Sequence, residues 1–222
     1  MSATQPRSGS LRDPLARGLL VLTFSTGLVD AVSYLGLGRV FTANMTGNIV
    51  LLGFGVAGSG GLPVVAPLVS LGAFLVGSAV GGAMGASRFG RALGIETVLV
   101  LAAAVVAVAA DVEPSTFPGD AVIALLALAM GVRNATVRRL AVPDLTTTVL
   151  TMTLTGLAAD SRVAGGSGSG SVRRIAAVLA MLLGAIAGAL LLKISLVPPL
   201  LAAAAVALVV ALAYAPVARR AA

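Results

Sequence analysis

The stretch G-R-V-F-T-A-N-M-T-G-N-I-V-L-L-G, residues 38–53, places two Asn, two Thr and an Arg inside a chain that is 58% hydrophobic and only 10% charged. Soluble domains average about 45–50% apolar and about 25% charged residues. With 222 residues and a mean hydropathy of +1.06, this chain lies far from that balance. Several apolar runs approach the ~20 residues that cross a hydrocarbon core. The composition therefore predicts an all-α integral membrane protein. The quoted stretch does not fit that pattern. Its apolar part, 45–56, would rise only about 18 Å as a helix, too little to cross. Irregular backbone survives at membrane depth only when buried in protein or lining water. The stretch is therefore read as a looped entry, 39–44, followed by a half-helix whose N-terminus lies within the membrane.

Working outward, the apolar segments fall near 16–37, 45–56, 63–86, 95–110, 121–140, 149–159, 175–192 and 197–215. The second and sixth are short. If every segment crossed, Arg88 and Arg91 would lie outside and the acidic loop 111–120 inside. If the two short segments instead enter and leave on one side, nearly all Arg residues become cytoplasmic, and only Arg39 and Lys193 stay external. The second arrangement obeys the positive-inside bias. It predicts six transmembrane helices plus two short re-entrant segments in the cytoplasmic membrane, with both termini inside. The segment after the N-terminus is too long for a signal peptide and lacks its cleavage site.

An internal repeat points the same way. G-L-V-D-A-V-S-Y-L (27–35) aligns with G-V-R-N-A-T-V-R-R (131–139) at a spacing of 104 residues, which sets Asp30 against Asn134. G-S-A-V-G (77–81) aligns with G-A-I-A-G (184–188), and 45–53 with 150–158. Three crossings per half make this an inverted-topology repeat, an architecture of secondary transporters that bind at the repeat interface. The division expected is a disordered tail 1–14, repeats 15–110 and 121–216 around the external loop 111–120, and a cytoplasmic tail 217–222.

The chain has no Cys and no His, so thiolate, disulfide and His-based metal or acid–base chemistry are excluded. No nucleophile–base pair or phosphate loop is visible, and neither an enzyme activity nor a cofactor is expected. A net charge of +7 without a basic, aromatic face does not indicate nucleic acid; the Arg residues fall between apolar runs. The bilayer is the expected partner, together with a small polar or anionic solute.

The candidate solute-binding residues are Asn44, Thr46, Gly47 and Asn48 at the first short segment. In P-D-L-T-T-T-V-L-T-M-T (143–153) they are Asp144, Thr147, Thr148 and Thr151. Free N–H groups and dipoles at two facing helix N-termini favour an anion or polar solute. The alternative is that these side chains merely cap a re-entrant turn. The run Thr151, Thr153, Thr155 suits a short strand as well as a helix. Asp30, beside Tyr34, is either a coupling carboxylate or a structural partner of Arg39 or of an Arg in the other half. Asn134 and Arg138 are its intramembrane polar counterparts, and Arg133 and Arg138 either line a cytoplasmic vestibule or, like Arg139, snorkel and set topology. Glu96 reads as interfacial. Gly77, Gly81 and Gly85, with Gly184 and Gly188, form small-xxx-small seams for close helix packing.

The stretch D-A-V-S-Y-L-G-L-G-R-V-F-T-A-N-M-T-G-N-I-V-L-L-G (30–53) resembles the signature of the YoaK-type bacterial membrane proteins, a domain of unknown function (1275). G-V-R-N-A-T-V-R-R-L-A-V-P-D-L-T-T-T (131–148) resembles that family's second motif, which commonly continues T-G-T where this chain has Met152. The resemblance implies an integral membrane protein of about six spans and brings no substrate. The functional expectation from the residues is a small secondary transporter or permease, with a non-transporting scaffold or accessory subunit as the alternative.

Overall fold

The computed structural model describes residues 13–142 and 150–220, with side chains described as far as residue 213. Asp144, Thr147 and Thr148 lie outside the described residues, as does nearly all of the expected N-terminal tail.

All regular structure among the described residues is helical. The helices are α1 (Pro14–Gly36), α2 (Met45–Val56), α3 (Val65–Met84), α4 (Phe89–Ala109), α5 (Phe117–Leu140), α6 (Leu150–Ala159), α7 (Ser171–Leu192) and α8 (Val197–Arg220). Local chemistry sets their starts. The Asp13 carboxylate accepts the Leu15 N–H at 2.9 Å, with Pro14 taking a first-turn position where no donor is required. The Thr116 hydroxyl accepts the Gly119 N–H at 3.2 Å at the head of α5. Asn44 does the same for α2, accepting from Gly47 N at 3.2 Å. The threonine run of α6 is helix and not strand, and Thr155 Oγ1 donates back to Thr151 O at 2.9 Å.

Several helices begin before the apolar runs do: α4 at Phe89, α5 at Phe117 and α7 at Ser171. Their first turns carry Arg91, Asp120, Arg173 and Arg174. Hydropathy measures only the stretch able to sit in lipid, whereas the helix continues through its charged turn. Among the described residues, five helices are long and apolar enough to cross a membrane: α1, α3, α4 with the 3₁₀ turn before it, α5 and α7. In α8, of 24 residues, the described apolar part is 197–213. The 12 residues of α2 and 10 of α6 rise only about 18 and 15 Å.

α4 packs on both α5 and α8, α1 packs on α8, α3 on α5, and α7 on α1. α1 and α5 are the most enclosed of the long helices, whereas α3 and α7 expose Leu75, Val76, Val80, Leu182, Leu183 and Ile186. A helix apolar all round with one face unpartnered suits lipid contact.

Glycines make the α1–α7 and α3–α5 contacts possible. A Cβ on Gly77 would collide with Leu128 O, one on Gly81 with Val132 O, and one on Gly131 with Phe74 O. Likewise Gly184 meets Phe24 O, Gly188 the Leu28 backbone and Ala31, and Gly27 Met181 O. Backbone touches backbone at both crossings. The expected seam is corrected at Gly85, which packs against nothing within 4 Å and ends α3 with φ 73°. That is a C-terminal cap position, where a missing Cβ permits the left-handed backbone.

Candidate functional site

The chain reverses immediately after α1. Gly38 and Arg39 take φ 99° and 61°, and the Arg39 N–H donates to Tyr34 O at 3.1 Å. Residues 40–44 then run back along α1. The backbone N–H groups of Thr42 and Ala43 donate to Asp30 Oδ1 at 3.3 and 3.2 Å. Asp30 lies about 9 Å from the α1 terminus along the helix, so α2 starts well inside the end of α1. Asp30 is buried and its carboxylate accepts from these amides, whereas Arg39 is exposed. Of the alternatives offered for Asp30, pairing with Arg39 is not formed; its carboxylate instead holds the returning loop.

Asn48 is the sole buried residue of α2. Its side-chain amide forms a two-way clamp on one residue of that loop. Phe41 N donates to Asn48 Oδ1 at 2.9 Å, and Asn48 Nδ2 donates to Phe41 O at 2.6 Å. Nδ2 also donates to Ser70 Oγ at 3.1 Å, and Ser70 Oγ donates to Phe41 O at 2.7 Å. An amide that satisfies both backbone groups of Phe41 mimics a neighbouring strand, and it joins the loop, α2 and α3. The sequence makes Asn48 a candidate solute contact; the structure turns it away from open space, because these partners use its hydrogen-bonding capacity.

The first turn of α2 and the first described turn of α6 border one cavity of about 660 Å³. Asn44, Thr46 and Gly47 line it from the α2 side and Thr151 from α6, with Tyr34, Phe74 and Met181. Tyr34 stacks on Phe41 with ring centroids 4.8 Å apart. A Cβ on Gly47 would press on the Phe41 ring at 2.9 Å, so the bare backbone there keeps loop and helix close. Of the sequence candidates, Asn44, Thr46, Gly47, Thr151 and Tyr34 are brought together here. Asn134 and Arg138 are not; they line a second cavity of about 600 Å³ with Ser78, Ala135 and Arg139. Phe74 borders both cavities.

Sequence reasoning missed three features. Glu96 is fully buried, not interfacial, and its Oε1 receives Arg133 Nη1 at 2.9 Å. Arg133 Nη2 donates to Thr26 Oγ1 at 2.6 Å, so the network ties α4, α5 and α1 in the interior. Arg133 is thereby removed from the vestibule assignment. The available signal was a carboxylate in an apolar segment, which requires a partner. Ser70 gave no signal beyond being a hydroxyl. Arg174 Nη1 donates to Gly156 O at 2.6 Å and Nη2 meets Asp160 Oδ2 at 2.7 Å, capping the end of α6 from α7. No cluster of metal-binding side chains occurs among the described residues.

Residues 18–213 match the family described as Protein of unknown function (DUF1275). The chain belongs to this family. One relative, UPF0700 transmembrane protein YoaK of Bacillus subtilis (strain 168), is 33% identical over 150 residues. That match covers 64% of this chain and 65% of the relative, a little under two thirds of its length. No solved structure matches the chain significantly. The apolar helices and the likeness to a transmembrane protein support an all-α, multi-pass membrane protein.

Proposed function

We propose that this DUF1275 protein is a small secondary transporter or permease. Its solute site is the cavity between the first turns of α2 and α6. The single observation that carries this reading is that the first turn of α2 and the first described turn of α6, two helices shorter than a bilayer crossing as described, meet at one polar-edged cavity of about 660 Å³. In this reading α2 and α6 are re-entrant, α8 is the sixth span and the two halves form an inverted repeat. Several contacts support the repeat. Gly27 stands to Met181 and Gly184 as Gly131 stands to Phe74 and Gly77. Gly184 meets Phe24 and Gly77 meets Leu128, which are related by the same spacing that aligns Gly27 with Gly131. The helix pairs exchange in the same way: α1 on α7 corresponds to α5 on α3, and α1 on α8 to α5 on α4. The distribution of Arg supports cytoplasmic termini. The solute class is a small polar or anionic molecule, and no catalysis is assigned.

Asp30 is the proposed coupling group. It sits on the helix bordering the cavity and holds the loop that leads into α2. Asp30→Asn retains an oxygen to accept the Thr42 and Ala43 amides and removes the titratable proton. In proteoliposomes it is expected to abolish proton-driven uptake while solute binding persists. An unchanged pH dependence of uptake would eliminate Asp30 as the coupling residue. Absence of flux for every small polar solute tried would instead favour a scaffold, a reading helped by the internal satisfaction of Asn48.

A further inference from the structure

We propose that the second cavity binds a small oxyanion, a carboxylate or phosphate group, and serves as the vestibule of the first. It lies between α3 and α5, next to the glycine crossing at Gly77, Gly81 and Gly131. Phe74, Ser78 and Gly82 recur every fourth residue on one face of α3. Asn134, Arg138 and Arg139 face them from α5. Two arginines, an asparagine and a serine thus line a half-open space of about 600 Å³, and no acidic side chain lines it among the described residues. Guanidinium forks match carboxylate and phosphate oxygens in pairs, which an ammonium or a lone hydroxyl does not. Gly82 and Ala135 add almost no bulk, so the space stays open. Phe74 is a wall common to both cavities, which places the basic cavity next to the proposed solute site. The vestibule assignment rests on the transporter reading; the oxyanion site itself does not. The bound group has two sources, a free solute or a lipid headgroup, and the same chemistry recognises both.

The chain has no Cys, so Ser78→Cys supplies a sole thiol inside the cavity. The full-length variant in phosphatidylcholine nanodiscs is treated with sulfonate-bearing and trimethylammonium-bearing methanethiosulfonates. The anionic reagent is expected to react about tenfold faster, relative to a free thiol, because a cavity lined by one sign of charge concentrates counter-ions. Arg138→Gln/Arg139→Gln is expected to bring the two rates level. Slowing by inorganic phosphate identifies a free oxyanion as occupant; slowing in phosphatidylglycerol discs identifies a headgroup. Equal reagent rates, a preference that survives loss of both Arg, or protection by neither anion overturns the proposal. A phosphate-induced rise in Tm of the unsubstituted chain, lost in the double Gln variant, checks the result without an introduced thiol. None of these readings needs flux, so they stand or fall separately from Asp30→Asn.

Discussion

Asn48 and Arg133 are both polar, both fully buried and both hydrogen-bonded within the protein, and each can be tested by replacing it. Asn48→Ala strands the Phe41 N–H and leaves Phe41 O with Ser70 Oγ alone, and a buried group left unsatisfied costs about 1–3 kcal/mol. The expected outcome is a clearly lower Tm in detergent; a Tm within error of the parent would refute the clamp. For the Arg133–Glu96 pair the cost is asymmetric. Arg133→Met leaves the Glu96 carboxylate buried and alone, a loss of about 3–5 kcal/mol, whereas adding Glu96→Gln should restore most of it. A double-mutant cycle on thermal or denaturant unfolding checks this: a coupling energy near zero would mean that the pair is incidental. The presence of a polar cluster at 39–48 was legible in the sequence. The allotment of roles within it was not, because Asn48 takes its partners from residues 41 and 70, and the latter belongs to a different helix.

The two close crossings follow from individual glycines, and the expected effects of substitution differ by position. Gly184→Ala forces a methyl into the Phe24 carbonyl, so α7 must move off α1. Overpacking of this kind costs about 1–3 kcal/mol. Gly72→Ala in α3 meets nothing within 4 Å and should be neutral or stabilising by about 0.5–1 kcal/mol through helix propensity. Parallel unfolding measurements on the two variants test whether packing, and not flexibility, selected glycine at the seam. The seams at 77–81 and 184–188 were readable because small residues four apart share a helix face. Gly85 fits the same spacing and fails because α3 ends there, and spacing alone carries no information about where a helix stops.

Across the whole molecule, the loops flanking α2 should lie on the same side of the membrane. In the otherwise Cys-free chain, Arg39→Cys and Ser59→Cys are expected to label from outside right-side-out vesicles, and Ser167→Cys only after permeabilisation. Opposite accessibility of the first two would break the re-entrant reading and the inverted repeat with it. The sequence by itself determined the membrane class, the short lengths of the second and sixth segments and the glycine seams. These answer to one-dimensional constraints: hydrocarbon thickness, helical rise and residue size. Only the tertiary structure decided that Asp30 holds a loop, that Asn48 faces inward while Asn44 and Thr46 border a cavity, and that Glu96 meets Arg133. Those outcomes depend on how each helix is rotated about its axis by packing against distant neighbours, and that rotation is not encoded in local spacing.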